Sequence, residues 1–395
     1  MEYRFNETLL AIPPSASVAI SDKARRMKEE GIDIISLAAG EPDFDTPSKA
    51  AMTGIAGIAD GHTHYAAPKG ILPLRERIAR KLREENGIDC DAENILMAPG
   101  GKYAIYESLF TLLTPGKREE VMILQPSWVS YGPMVTACGG VPVGVELSFE
   151  DNYRISREIL DQYVSENTRV LILNYPNNPT GCVLSKEEAE IVADFALDHD
   201  LMLIADEIYE KITYADSGTA SLAAIGRIKD RVITINGFSK SSAMTGWRLG
   251  YICAPHEIIN KTMILHQHTI SCVSQFAMEA ALVSMDCEDD VAAMIKSYRH
   301  RRDFFVDGLN AIDGVTCHMP QGAFYAWAKV DAPDMNSFEI ADYLLDEAKV
   351  AVVPGDAYGL GGAGCIRMSY ATAEADLREA LIRMKAAIDK LRASK

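Results

Sequence analysis

Lys240 and Arg248 lie eight residues apart within residues 236–250, directly after the β-branched run of residues 232–235. That run is typical of a buried strand, so the lysine amine would lie just past the end of a strand. A lysine in such a position can condense with a carbonyl carbon. An arginine close by can neutralise a phosphate. The pair therefore indicates a ligand that carries both a carbonyl group and a phosphate.

Glycine, polar and aromatic residues also follow the other predicted strands. They are Gly100 and Gly101, Trp128, residues 174–181, residues 206–209, and Ser239 beside Lys240. Ligands of parallel α/β sheets bind at the carboxyl ends of the strands, so we expect these residues to form one site. Paired glycines between a strand and a helix direct backbone N–H groups at an anion. Pyridoxal phosphate (PLP), which proteins hold through a lysine Schiff base, meets both requirements.

Apolar strands alternate with helices through the middle of the chain. We predict strands at 121–124, 141–145, 170–173, 201–205, 232–235 and 249–253, and helices at 72–85 and 186–198, the second opened by a Ser185–Glu188 capping box. This alternation is typical of an α/β fold in which helices cover both faces of a mostly parallel central sheet.

The pattern changes near residue 286. Further helices are predicted at 21–28, 292–309, 337–348 and 373–395, and further strands at 323–328, 350–353 and 365–369. Because these strands are fewer, we predict a large PLP-binding domain of residues 45–285. Residues 1–44 and 286–395 would form a smaller α+β domain.

The composition excludes several classes of function. The 395 residues carry a net charge of −17, which disfavours nucleic-acid or anionic-membrane partners. No apolar run is long enough to span a bilayer and no signal pattern begins the chain, so we expect a cytoplasmic protein. Eight scattered cysteines and two histidine pairs lack ligand spacing, and we predict no metal site. A GxGxxG match at 359–364 precedes a strand, so we interpret it as a loop.

Four motifs in order resemble one family. They are Asn178-Pro179-Thr180-Gly181, Asp206-Glu207-Ile208-Tyr209, Ser239-Lys240 followed by Met244-Thr245-Gly246-Trp247-Arg248-Leu249-Gly250-Tyr251, and Ile366-Arg367-Met368-Ser369-Tyr370. Together they resemble the class I/II aminotransferases of PLP fold type I, most closely the aspartate-aminotransferase-like branch. The resemblance runs from Ala38 to the C-terminal helix.

The resemblance implies a role for each cofactor residue. Lys240 would hold PLP and then carry the substrate Cα proton as general base and acid, and Asp206 would keep the pyridine nitrogen protonated. Tyr209 and Asn178 would hydrogen-bond the phenolic oxygen of PLP. The phosphate would be bound by Arg248, Gly100, Gly101 and Lys102, with Ser239 nearby and with Tyr65 from a neighbouring subunit of a homodimer with shared active sites.

The substrate would be bound by Gly40, Trp128, Asn178 and Arg367. Trp128 would stack on the cofactor ring, and Arg367 would clamp the α-carboxylate with help from the Gly40 backbone. One departure from the family pattern is Gly237, where many relatives carry a serine or threonine. The phosphate would then lose one hydroxyl donor.

The sequence therefore predicts a PLP-dependent aminotransferase with a ping-pong mechanism. Its donor would be an L-amino acid, with aspartate favoured and aromatic amino acids next, and its acceptor a 2-oxo acid such as 2-oxoglutarate. The alternative is a C–S or C–C lyase on the same fold, which would share every cofactor residue. A PLP-sensing regulator is disfavoured by the acidic charge. No motif assigns the residue that recognises the substrate side chain.

Overall fold

A seven-stranded sheet forms the centre of the protein, for which a computed structural model describes residues 3–14, 16–215 and 218–393. Numbered along the chain, the strands are β1 (Ile35–Ser36), β2 (Ile95–Ala98), β3 (Glu120–Gln125), β4 (Val141–Glu146), β5 (Thr168–Asn174), β6 (Met202–Asp206), β7 (Val232–Gly237), β8 (Gly250–Cys253), β9 (Val315–Cys317), β10 (Tyr325–Val330), β11 (Val350–Ala351), β12 (Val353–Pro354) and β13 (Cys365–Ser369). The central order is β2-β8-β7-β6-β5-β3-β4. Only β8 runs antiparallel to its neighbours, which confirms the mostly parallel α/β sheet.

The described chain also forms α-helices along its whole length. They are α1 (Glu7–Leu10), α2 (Ala16–Glu29), α3 (Ser48–Ala59), α4 (Leu72–Asn86), α5 (Gly101–Leu112), α6 (Tyr131–Ala137), α7 (Arg157–Asp161), α8 (Lys186–Asp198), α9 (His256–Thr269), α10 (Gln275–Ser284), α11 (Glu288–Asn310), α12 (Ser337–Tyr343) and α13 (Glu374–Ala393). Helix α8 begins with the predicted capping box, in which Ser185 and Glu188 each bond the backbone N–H of the other. Helices α2 and α11 begin earlier than predicted.

A second, four-stranded sheet has the order β12-β13-β10-β9, and β1 pairs with β11 in a separate two-stranded sheet. The strands of these two sheets differ in detail from the predicted ones. Strand β10 begins at Tyr325 rather than at residue 323, because Ala323 has a positive φ of 55° that strand geometry does not allow. Residues 350–353 form parts of two short strands, which belong to different sheets.

The two larger sheets share one cluster of apolar side chains, to which Leu203 of β6 and Trp327 of β10 belong, and each also packs on a further cluster of its own. Ile204 and Ile235 of the central sheet share a cluster with helix α5, whereas Ile366 and Met368 of β13 pack with Phe305 of α11. The eight cysteines are free, and seven of them are buried. No group of metal-ligating side chains was found among the described residues. None of the described helices is both long and apolar enough to cross a membrane.

Candidate active site

A cavity of about 610 Å³ lies at the carboxyl edge of strands β5, β6 and β7. The structure brings most of the predicted site residues to its wall: Gly40, Gly101, Lys102, Trp128, Asn178, Asp206, Tyr209, Ser239, Lys240, Arg248 and Arg367. Asn178, Asp206 and Lys240 come together because parallel strands place their carboxyl ends at one edge of the sheet. Gly40 and Arg367, which are 327 positions apart, reach the same cavity from outside the central sheet.

Lys240 lies in the turn after β7 and reaches across the cavity. Its ammonium donates a hydrogen bond to the carbonyl oxygen of Gly40. It also lies 5.7 Å from the ring centres of Tyr209 and Phe324. Burial lowers the pKa of Lys240 to about 8, and the cations Arg367 and Arg248 act in the same direction, against nearby carboxylates. The amine is therefore close to the protonation state that a nucleophile or general base requires.

Asp206 ends strand β6 and is a buried carboxylate. It accepts a hydrogen bond of 2.6 Å from the Tyr131 hydroxyl and one of 3.2 Å from the Ile208 backbone N–H. Burial raises the pKa of Asp206 to about 6, although these donors and Lys240 oppose the rise. A buried carboxylate with so few charged neighbours would be stabilised by a cation placed in the cavity beside it.

Two tyrosines meet beside Lys240. The hydroxyls of Tyr209 and Tyr325 lie 2.8 Å apart and are hydrogen-bonded. Tyr209 follows β6, whereas Tyr325 begins β10 of the second sheet, so this contact joins the two sheets. Burial, together with the neighbouring Tyr325, raises the pKa of Tyr209 well above its usual range, and both hydroxyls therefore stay protonated at neutral pH.

Arg367 on β13 presents a buried guanidinium to the cavity. One terminal nitrogen donates to Oδ1 of Asn178 at 3.0 Å, and the other donates to the Ala38 carbonyl at 2.7 Å. Its Nε is buried and has no hydrogen-bond partner among the described residues. The ring centre of Tyr325 lies 4.4 Å from the guanidinium carbon. A positive group held this firmly, with donors to spare, suits a carboxylate.

Gly101 and Arg248 line the cavity where helix α5 begins. Helix α5 begins at Gly101, and Gly100 precedes it with a φ of 85°, which turns the chain into the helix. A Cβ atom at Gly100 would come within 2.7 Å of the Arg248 guanidinium, so the glycine lets the arginine approach the helix N-terminus. Arg248 also donates to the Thr245 carbonyl at 2.8 Å. A helix N-terminus beside an arginine is a typical phosphate site.

A profile of the family named aminotransferase class I and II matches residues 32–384. The chain belongs to this family. The aspartate aminotransferase of Musicola paradisiaca is 41% identical over 91% of this chain and 90% of its own length. The aromatic-amino-acid aminotransferase 2 of Thermococcus litoralis is 42% identical over 90% and 92%. The solved aspartate aminotransferase of Thermus thermophilus with maleate is similar at a TM-score of 0.92, with 37% identity over 98% of this chain and 100% of that one.

Membership of the class I and II aminotransferases confirms three predictions: the family, the PLP fold type I architecture, and the activity of an aminotransferase. The family is PLP-dependent in general. The assignment of individual residues to cofactor and substrate stays a prediction, which the cavity geometry supports but no bound ligand tests.

Gly100 and Tyr65 are the predicted site residues that do not line the cavity of this aminotransferase chain. The side chain of Tyr65 is 88% exposed on the loop before helix α4. The sequence resemblance assigns Tyr65 to a neighbouring subunit's site, and an exposed position in the single chain agrees with such a role.

Gly237, the departure from the family pattern, lies at the end of β7 against β8. A Cβ atom there would meet the Gly250 Cα at 2.7 Å and the Leu249 carbonyl at 2.9 Å. A serine or threonine would therefore require this aminotransferase to move β8 away from β7. The close pairing of β7 and β8 therefore explains why residue 237 is a glycine.

Sequence reasoning missed three side chains that support the site. Tyr131 bonds Asp206, Tyr325 bonds Tyr209, and the Thr245 hydroxyl donates to Glu41 at 3.0 Å. Asn174, which falls in the predicted range 174–181, donates its amide to the Asp206 carbonyl at 2.9 Å. Tyr131 lies three residues after Trp128, so position alone could have indicated it. Nothing in the sequence relates Tyr325 to Tyr209, because they come from different sheets.

Proposed function

We propose that this aminotransferase binds PLP through Lys240 and transfers the amino group of an L-amino acid to a 2-oxo acid. The observation that carries the proposal is that one cavity is lined by an amine (Lys240), a buried carboxylate (Asp206), a helix N-terminus beside an arginine (Gly101 and Arg248) and a buried guanidinium (Arg367). These groups match the aldehyde, ring nitrogen and phosphate of PLP and the carboxylate of its substrate.

When bound, PLP supplies an aldehyde that takes up the amine and a ring that accepts the electron pair left at the substrate Cα. Side chains of the protein supply charge stabilisation, proton transfer and substrate positioning. Asp206 would stabilise positive charge at the ring nitrogen, and Tyr131 keeps the Asp206 carboxylate in place. Lys240 would take the substrate Cα proton at Nζ and later donate it from the same atom, which its lowered pKa favours. Arg367 fixes the α-carboxylate, so that the Cα–H bond is the one that breaks.

A single half-reaction tests the transferase against the lyase. We expect one equivalent of an amino-acid donor, added without an acceptor, to convert the bound cofactor stoichiometrically to pyridoxamine phosphate and to release the 2-oxo acid. Adding 2-oxoglutarate should then restore PLP. Absorbance and mass spectrometry of the released cofactor would follow both steps. Pyruvate and ammonia without pyridoxamine phosphate would instead establish the lyase.

We favour aspartate as donor, with aromatic amino acids next. The similar proteins of Musicola paradisiaca and Thermococcus litoralis are named for aspartate and for aromatic amino acids, respectively. The cavity contains a further cation, Lys102, whose ammonium lies 4.9 Å from the ring centre of Trp128. Burial, with Arg248 second, lowers the pKa of Lys102, so a second substrate carboxylate placed beside it would stabilise its charged form.

Replacing Lys102 with methionine distinguishes this role from phosphate binding, the role that the sequence predicted. We expect kcat/KM for aspartate and 2-oxoglutarate to fall roughly 10- to 100-fold, since a charged hydrogen bond contributes about 1.5–3 kcal/mol. The value for phenylalanine should change little. Steady-state kinetics with both donors would measure the difference, and Lys102→Arg is the control. An equal loss for every donor, with weaker PLP binding, would assign Lys102 to the phosphate alone.

We further propose a cytoplasmic homodimer in which Tyr65 of each subunit donates to the phosphate in the other site. The chain would comprise a large domain of residues 45–285 and a small domain of residues 1–44 and 286–395. Each of the two larger sheets has an apolar cluster of its own, which supports this division, and a third cluster joins the sheets. We propose no nucleic-acid or membrane partner, in keeping with the net charge of −17.

The proposed homodimer with shared active sites can be tested by its mass and by a Tyr65 variant. Sedimentation equilibrium should give twice the chain mass of 43.2 kDa. Tyr65→Phe should weaken PLP binding roughly tenfold by removing one hydrogen bond to a charged group, about 1.5 kcal/mol. Titration of apoenzyme with PLP would measure the change, and Tyr163→Phe serves as the matched control. A monomeric mass, or unchanged affinity in Tyr65→Phe, would contradict the shared site.

A further inference from the structure

A second cavity, of about 340 Å³, borders the segment that carries Lys240. Phe238 and Ser241 line this cavity, whereas Ser239 and Lys240 between them line the active-site cavity. The segment is therefore a wall shared by two cavities. No part of the proposed mechanism uses the second one. Its volume lies at the lower end of the range for small-molecule pockets in proteins, which is about 300–1,000 Å³.

One part of the second cavity is apolar. Phe238 after β7, Met285 after α10, and Val291 and Ile295 of α11 contribute to its wall. The two α11 residues lie four positions apart and so share a face of the helix. This part would accept a ring or a short aliphatic chain, because burying apolar surface is favourable by about 25 cal/mol per Å².

The charged side chains around the cavity are mostly paired with one another. The ammonium of Lys81 is bonded to Glu210, and that of Lys211 to Glu85. Arg77 differs, because only its Nη2 is engaged, at 3.2 Å from the Met285 carbonyl and at 3.5 Å from the Asp286 carboxylate. Within the described chain, its Nε and Nη1 have no hydrogen-bond partner. The lining thus contains one cation with donors to spare.

We propose that this cavity is a second small-molecule site, which binds a small carboxylate with an apolar or aromatic body and thereby contacts the segment that carries Lys240. The carboxylate oxygens accept from Arg77, and the body packs on Phe238, Met285 and Ile295. A ligand in this cavity affects the active site, because its contacts with Phe238 and Ser241 restrict the backbone on both sides of Lys240.

Binding to the holoenzyme tests the site directly. The active site is first saturated with maleate, the dicarboxylate present with the similar Thermus thermophilus enzyme. The probes are 3-phenylpropanoate and cyclohexanecarboxylate, with 3-phenylpropanol as the neutral control, followed by titration calorimetry and saturation-transfer NMR. We expect one equivalent of either carboxylate to bind in the presence of maleate, and the alcohol to bind at least tenfold more weakly. If neither carboxylate binds at about 10 mM, where a millimolar Kd would be detected, the proposal is overturned.

Matched variants locate the binding. Ala292→Trp places an indole at a cavity-lining position of α11, and the exposed neighbour Ala293→Trp is its control. Arg77→Gln removes the cation, and the exposed Arg80→Gln is its control. Affinity should fall at least tenfold in Ala292→Trp and Arg77→Gln and stay unchanged in both controls. Equal binding by all four variants would place the probe elsewhere and overturn the site.

The effect on Lys240 is measured separately. With 3-phenylpropanoate bound, the midpoint of the pH-dependent absorbance of bound PLP should shift by about 0.3 pH unit or more, a twofold change in equilibrium. Ala292→Trp should abolish the shift. The absorbance shift depends on the proposed PLP binding, whereas calorimetric binding of the probe does not. A failure of the second site can therefore be distinguished from a failure of the proposed function. Binding without a shift would overturn the coupling to Lys240.

Discussion

Lys240→Ala should abolish transamination, with a loss of about 10⁴-fold or more in kcat. General acid–base catalysis alone contributes about 10²–10⁴-fold, and the variant also loses the amine that holds the cofactor. The purified protein should lack the pH-dependent yellow absorbance of covalently bound PLP, and borohydride reduction should label no peptide containing residue 240. Single-turnover kinetics and peptide mapping would measure both effects.

Lys240→Arg is the control for charge and folding. It preserves a cation near Asp206 but offers no amine that can condense with an aldehyde, so it should fold, bind PLP without covalent attachment and remain inactive. Substantial turnover by either variant would contradict the assignment of the proton transfer to Lys240.

Replacement of Arg367 with alanine should have the next largest effect. Truncating one partner of a buried, hydrogen-bonded charge pair costs about 2–5 kcal/mol, so we expect kcat/KM to fall about 10²- to 10³-fold. The loss should appear mainly in KM and should be alike for amino acids and 2-oxo acids, because both carry the α-carboxylate. The absorbance of bound PLP should persist, since Arg367 contacts Asn178 and Ala38 rather than the phosphate end.

Arg367→Lys tests whether shape or charge matters. A lysine retains the charge but cannot bind a carboxylate with two parallel hydrogen bonds, so it should recover only part of the lost affinity. A variant in which only amino acids, or only oxo acids, lose affinity would show that the clamp lies elsewhere.

Local patterns predicted much of the large sheet. The apolar runs that became β5 and β6 are continuous, and Ser185 and Glu188 mark the start of α8 chemically. The second sheet was less predictable. Strand β10 begins two residues late because Ala323 adopts a positive φ where the chain enters the sheet, which composition does not reveal. The start of α11 at Glu288 was missed because the acidic residues of its first turn carry no apolar period.

The parts of the site that a sequence motif determines could be predicted. The parts that depend on tertiary contacts could not. Asp206 and Lys240 follow strands of one sheet, so their convergence follows from topology. The hydrogen bond between Tyr209 and Tyr325 depends on how the second sheet packs on the first, and residues 116 positions apart give no local sign of it. The pKa of Asp206, raised to about 6, likewise results from burial, which a strand-end position does not reveal.

Arg367 belongs to a different sheet from Lys240 and Asp206. A substrate bound by all of these groups would join the two sheets. Side chains such as Met384 pack in the apolar cluster beneath β13, so substitutions there would shift Arg367 relative to Lys240 and Asp206. New donor preferences in this protein can therefore arise from substitutions far from any reacting atom.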